Sequence, residues 1–136
     1  MKQLMFIDDE RALLNAMARM LKPLEKQWKF IYVERAAEAL DLLNTVDIDV
    51  VISDLCMPGM NGQECLERVR VQYPQVTRVM MTGRSEYDVY REGMAVAKYF
   101  LWKPVSPQAL STLLQLLSNQ EATLLPGEDH VNDPPQ

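Results

Sequence analysis

Two cysteines and one histidine in 136 residues leave little material for sulfur or imidazole chemistry. Cys56 and Cys65 are too few and too poorly spaced for a metal knuckle, and no disulfide framework is expected. Reduced thiols and a cytoplasmic setting are the resulting expectation. The single histidine, His130, stands in a C-terminal tail, where an isolated imidazole is more often solvated than functional. No apolar run approaches the roughly 20 residues of a membrane span. Met1-Lys2-Gln3-Leu4 leads straight into the first expected strand, so no signal peptide is expected. A Gly-rich phosphate loop and a Ser-His-Asp arrangement are both missing. The last stretch, 119–136, contains no Lys or Arg but holds Glu121, Glu128, Asp129 and Asp133. Most of the net charge of −5 therefore belongs to the tail, and the remainder is close to neutral. A basic nucleic-acid footprint is absent, which argues against direct DNA binding.

What remains is enough for one domain with a proper core. Short apolar runs alternate with helical patterns, five of each. The expected strands are Gln3–Ile7, Lys29–Val33, Asp49–Ser53, Val76–Met81 and Lys98–Leu101. The first helix runs from about Glu10 to Lys22, with Leu13, Leu14, Met17, Met20 and Leu21 on one face. The second covers Ala36–Asn44, and the third follows the turn signals Pro58-Gly59 and Asn61-Gly62 and ends near Gln72, before Pro74. The fourth, around Ser85–Met94, has no clean apolar stripe. The last opens with Ser106 as N-cap and Pro107 at its first position. Alternating units with nearly continuous apolar strands imply a parallel sheet covered on both faces, hence an α/β doubly wound fold. The strand order 2-1-3-4-5 fits best. The domain is expected over 1–118, with 119–136 a flexible acidic, Pro-containing tail or the start of a linker.

The polar groups stand at the ends of these strands. Asp8 and Asp9 follow the first, Asp54 the third, Thr82 the fourth, and Lys103 comes just after the fifth. In open α/β sheets ligands bind outside the carboxyl ends of the strands, so these groups should converge. Three clustered carboxylates raise one another's pKa and call for a cation, and Mg²⁺ suits them. Asp54 is the expected nucleophile, able to carry a phosphoryl group as an aspartyl-phosphate. Mg²⁺ would bridge carboxylate and phosphoryl oxygens, Lys103 would add a fixed positive charge, and Thr82 a hydroxyl donor. Each piece alone has a simpler reading. Asp8-Asp9-Glu10 suits a helix N-terminus, Lys103 a surface turn before Pro104, and Thr82 a strand end. The spacing of the whole set carries the inference.

With those residues in view, the chain resembles the receiver domains of two-component response regulators over about residues 2–118. The resemblance rests on Asp8-Asp9, Asp54 with Met57-Pro58-Gly59-Met60-Asn61-Gly62, Thr82-Gly83, and Lys103-Pro104. It implies phosphorylation of Asp54 by a sensor histidine kinase or phosphotransfer protein. It also implies Mg²⁺ ligands from the Asp9 and Asp54 side chains and the Cys56 carbonyl, with Asp8 holding metal-bound water. The Lys103-Pro104 bond is commonly cis in such domains, and Phe100 occupies the place of the aromatic that relays the signal with Thr82. Segments including Tyr73-Pro74 and Thr77–Gly83, with Met20-Leu21-Lys22-Pro23 and Trp28, look like receivers joined to output domains of the HD-GYP or HDOD kind. Gly93–Ala97 departs from the usual Gly-Ala before the fifth strand, which puts the dimer surface of DNA-binding regulators in doubt.

Three functions compete. The first is a phosphorylation-dependent switch whose partner-binding surface changes, with only self-catalysed phosphotransfer and dephosphorylation. The second is a receiver-like binding module that works without phosphate. The third is a Mg²⁺-dependent hydrolase of small phosphorylated substrates. The intact acids, Thr82 and Lys103 argue against the second; the lack of an additional acid/base group and a lid argues against the third.

Overall fold

In the computed structural model, residues 1–83, 95–119 and 130–133 are described. Five parallel strands, β1 (Lys2–Ile7), β2 (Trp28–Val33), β3 (Val50–Asp54), β4 (Thr77–Thr82) and β5 (Tyr99–Trp102), form one sheet in the order β2-β1-β3-β4-β5. Among the described residues there are four α-helices: α1 (Arg11–Leu21), α2 (Ala36–Leu43), α3 (Gly62–Gln72) and α4 (Pro107–Ser118). The expected helix around Ser85–Met94 lies outside the described residues, apart from its flanks. The doubly wound fold and the strand order are those read from the sequence.

Alternation along each strand divides the core into two layers. Leu4, Phe6, Val50, Ile52, Val79, Met81, Tyr99 and Leu101 face Leu14, Met17 and Leu21 of α1 and Leu110, Leu113 and Leu117 of α4. Met5, Ile7, Val51, Met80, Phe100 and Trp102 face Ala36, Ala39 and Leu43 of α2 and Cys65, Leu66 and Val69 of α3. Each fully buried side chain of this size contributes roughly 1.5–3 kcal/mol, so the two layers hold the sheet between its helices. Local chemistry fixes the helix starts. Asn61 caps α3 by accepting from the Glu64 N–H at 2.9 Å, and the Ser106 hydroxyl accepts from the Ala109 N–H at 3.0 Å with Pro107 at the first helical position.

β3, β4 and β5 end one residue later than expected from the sequence, while β1 and β2 end as expected. Asp54 pairs with Met81 and Thr82 with Trp102 in the sheet register, although their side chains are polar. Main-chain pairing does not depend on side-chain polarity, so the ladder carries these residues to the sheet's carboxyl edge. The C-terminal stretch holds a correction. His130 and the two residues after it are half-buried against β5, and His130 pairs with Phe100 in an isolated parallel bridge. His130 is therefore packed rather than solvated. Residues 120–129 and 134–136 of the expected tail lie outside the described residues.

Candidate functional site

At the carboxyl edge, β1, β3 and β4 stand side by side, with Ile7 level with Ser53 and Asp54 level with Met81. That register brings Asp8, Asp9 and Asp54 together: one carboxylate oxygen from each lies within 4.8 Å of the others. Asp8 and Asp54 are buried, while Asp9 is exposed. Lys103, directly after β5, reaches across the edge of the sheet. Its Nζ lies 3.0 Å from Asp8 Oδ2, 3.2 Å from Asp54 Oδ1 and 3.7 Å from Glu10 Oε1. Glu10 was not singled out in the sequence; its side chain is two-thirds exposed, so its attraction for Lys103 is weakened by water.

Each group is held by its own backbone. Asp8 Oδ1 accepts from the Glu10 N–H at 2.9 Å, a turn that leads the chain into α1; the N-cap itself is Glu10, whose side chain makes no capping bond. Asp8 Oδ2 points at Lys103 instead. The Ser53 hydroxyl donates to the Asp54 carbonyl at 3.0 Å, and the Leu55 N–H donates to the Met81 carbonyl at 2.9 Å. The Lys103 N–H donates to the Thr82 carbonyl at 2.9 Å, which places Thr82 and Lys103 side by side at the ends of β4 and β5. Thr82 is buried at the end of β4. Cys56 is exposed in the loop after β3, and both cysteines are free thiols. Gly59 in that loop has φ of 78°, a conformation that favours glycine at the Pro58-Gly59 turn. The Lys103–Pro104 bond is cis.

The charges do not balance. Burial is the main cause that pushes Asp54 up to about 6; Lys103 works against it, and the Asp8 and Asp9 charges add to it. For Lys103, burial opposes the charge, but the Asp8 and Asp54 carboxylates outweigh it and hold the ammonium above its ordinary pKa. One ammonium thus serves three acids. An all-oxygen cluster with excess negative charge suits a hard divalent cation, which takes carboxylate and water oxygens. The donor set fits Mg²⁺.

Asp54 also gives a pH-dependent expectation. Its folded pKa lies above the ordinary 3.8, so the stability linked to its proton is full below about pH 4 and lost as pH rises through about 6. Above that range the buried carboxylate costs the metal-free fold on the order of 1–3 kcal/mol. Asp54→Asn should therefore raise the melting temperature of metal-free protein at pH 7.5, and the gain should disappear near pH 4. A variant less stable than the parent at pH 7.5 would contradict this balance of charges.

Three acids and an ammonium cluster at the switch point of a 2-1-3-4-5 sheet, in a doubly wound α/β domain. The chain belongs to the response regulator receiver domain family, which it matches over residues 4–115. It is 33% identical over 128 residues to the response regulator protein FleR of Pseudomonas aeruginosa, covering 93% of this chain and 26% of that protein. The sensor kinase CckA of Brucella abortus is 33% identical over 88 residues, covering 62% of this chain and 9% of the kinase. The chain thus spans only a part of the curated relatives it matches. Among solved structures, the signal receiver domain of an HD domain-containing protein from Pseudomonas fluorescens Pf-5 superposes with a TM-score of 0.80 at 28% identity, covering 90% of this chain and 98% of that one. The chemotaxis response regulator CheY4 of Vibrio cholerae superposes at 0.77 with 29% identity, covering 86% and 98%. Receiver domains are signalling domains of two-component systems rather than true enzymes. No helix among the described residues is long and apolar enough to cross a membrane.

Proposed function

We propose that this domain is a phosphorylation-dependent switch that accepts a phosphoryl group on Asp54 from the phosphohistidine of a sensor kinase or a phosphotransfer protein. The observation that carries this reading is the buried Asp54 carboxylate held 3.2 Å from Lys103 beside Asp8 and Asp9. Asp9, Asp54 and the Cys56 carbonyl would hold Mg²⁺, and Asp8 would hold water on it. When bound, the ion supplies charge neutralisation for the transferring phosphoryl oxygens. Asp54 would present its carboxylate to the incoming phosphorus, Lys103 would hold a phosphoryl oxygen, and the Thr82 hydroxyl would donate to another. Family membership supports these roles, as does the clustering of Asp8, Asp9, Asp54 and Lys103 at one sheet edge.

The output would pass through β5 and the helices beside it. Thr82 drawn toward the phosphoryl group would leave space that Phe100 could fill by rotating. Phe100 is fully buried, its ring 5.9 Å from Trp102, so such a rotation must move its neighbours. Lys98 is exposed beside β5 and available to a partner; Arg91, the other expected contact, lies outside the described residues. The domain would end near Ser118, where α4 ends, followed by a tail or linker, and would work in the cytoplasm. An HD-type output domain is supported by the likeness to the Pseudomonas fluorescens receiver.

The test is incubation with acetyl phosphate and Mg²⁺ followed by peptide mass spectrometry. One phosphoryl group on Asp54 is the expected result. Steady hydrolysis of added phosphoesters would favour the hydrolase, and complete failure to label would favour the phosphate-independent module. The metal gives a separate expectation. Mg²⁺ at a hundred times its Kd should stabilise the fold by about 2.7 kcal/mol, because it binds the assembled cluster and not the unfolded chain. Asp9→Asn should remove most of that gain in a thermal melt. A melting temperature indifferent to Mg²⁺ would count against the site.

A further inference from the structure

The two edges of the sheet differ. β2 leaves Lys29 exposed and Phe30, Ile31 and Tyr32 half-buried, as an edge strand normally does. β5 is the other edge, yet Tyr99, Phe100, Leu101 and Trp102 are all 2% exposed or less. His130–Asn132 contributes to this cover by running along β5 in parallel. The Val131 N–H donates to the Phe100 carbonyl at 2.9 Å. The Asn132 carboxamide then engages both polar groups of one residue. The Trp102 N–H donates to Asn132 Oδ1 at 2.8 Å, and Asn132 Nδ2 donates to the Trp102 carbonyl at 2.8 Å.

These are the groups an edge leaves open. The Lys103 N–H points inward to Thr82, so the alternate residues Phe100 and Trp102 present their main chain outward. The side chains alternate as in a strand. The His130 ring lies 6.0 Å from Phe100 and 5.4 Å from Trp102, while Val131 packs with the opposite core layer, the one that holds Tyr99 and Leu101. The carboxamide takes the place of a further ladder residue, supplying one acceptor and one donor in a plane.

We propose that the outer edge of β5 is a strand-docking surface and that His130–Asn132 of the same chain is its occupant. Only residues 119–129 separate this segment from the end of α4, so the tether keeps its effective concentration high and the loop-closure cost modest. An open edge of this kind is a template for another chain, and the segment blocks it in cis. A competing partner would need an extended segment with a ring side chain, then an N–H donor, then an Asn or Gln carboxamide two residues after the ring. The clamp sits on Trp102, one residue before Lys103, so occupancy of the edge and the position of the ammonium share one stretch of backbone. The inference rests on the fold and this contact alone, and it stands whether or not Asp54 takes a phosphoryl group.

The experiment is amide hydrogen exchange by NMR on the full chain, its Asn132→Ala variant and its Val131→Pro variant. Loss of the clamp should speed exchange of the Trp102 amide by about tenfold in Asn132→Ala, the scale of one hydrogen bond. Val131→Pro, which removes the donor to Phe100, should do the same. The Lys103 amide, bonded inward, should keep its rate in both, which separates undocking from general unfolding. Protection of Trp102 in the parent chain should not change on dilution. Equal Trp102 rates in parent and Asn132→Ala would overturn the docking. Protection lost on dilution would overturn the cis occupant in favour of a second copy.

Discussion

Asp54→Asn should reduce phosphoryl incorporation from acetyl phosphate to background while leaving a folded protein. The two halves of that expectation come from the same geometry. Attack on phosphorus needs a carboxylate oxygen, and a carboxamide of the same shape has no comparable nucleophile. The fold, in contrast, gains from losing a buried charge that Asp8 and Asp9 crowd. Loss of label could then not be blamed on unfolding, since the metal-free variant should melt higher at pH 7.5. Lys103→Ala separates the next step. It keeps the nucleophile and the acids, so some labelling should survive. It removes the only ammonium that touches both Asp8 and Asp54 among the described residues, at 3.0 and 3.2 Å. The change at β5 that should follow phosphorylation would weaken, because nothing would link the modified acid to the start of the Lys103-Pro104 turn. Peptide mass spectrometry gives the label, and hydrogen exchange with a beryllofluoride mimic gives the response. Undiminished labelling of Asp54→Asn at another residue would falsify the assignment of Asp54.

The sheet was legible because both of its faces are covered. A strand buried on two sides must be apolar at every position, so Leu4–Ile7 and Val50–Ile52 stand out against their surroundings. The site was legible for the converse reason: a polar residue that ends such a run has little place in a core unless it serves something. The strand ends were read one residue short at Asp54, Thr82 and Trp102. The first two are polar residues paired through the main chain; Trp102 is apolar but lies one residue past the expected strand Lys98–Leu101. The docked segment was illegible. His130-Val131-Asn132 is three residues long, only one of them apolar, in an acidic stretch with two prolines soon after. Its polar hold on β5 comes from main-chain groups and one carboxamide, and one ring and one valine are too few to leave a hydrophobic period. Glu10 escaped notice because the cap reading of Asp8-Asp9-Glu10 already explained it.

The largest structural effect should come from the smallest substitution in the loop behind Asp54. Gly62→Ala at the start of α3 should destabilise the domain by about 1–3 kcal/mol and disturb the phosphoacceptor position together. A Cβ built on Gly62 would fall onto the Asp54 carbonyl oxygen, 2.8 Å from its carbonyl carbon and 2.9 Å from Leu55 Cα. These are backbone atoms, so no flexible side chain can swing aside. Nor can the backbone yield easily. The Gly62 N–H donates to the Leu55 carbonyl at 2.8 Å, and Leu55 is pinned to β4 through Met81 at 2.9 Å. Asn61 holds the helix start from the other side through the Glu64 N–H. The expected relief is a shift of α3 away from the sheet or of Asp54 out of its register with Met81, and either one moves the carboxylate relative to Lys103. Chemical denaturation should report the lost stability, and Mg²⁺ titration should show weaker binding than in the parent chain. Gly59→Ala is the control. Its Cβ meets nothing within 4 Å, and its cost comes only from the positive φ. It should therefore destabilise by no more than about 1 kcal/mol and leave Mg²⁺ binding unchanged. A Gly62→Ala protein with parental stability and parental Mg²⁺ affinity would show that α3 does not abut Asp54 as closely as these distances require.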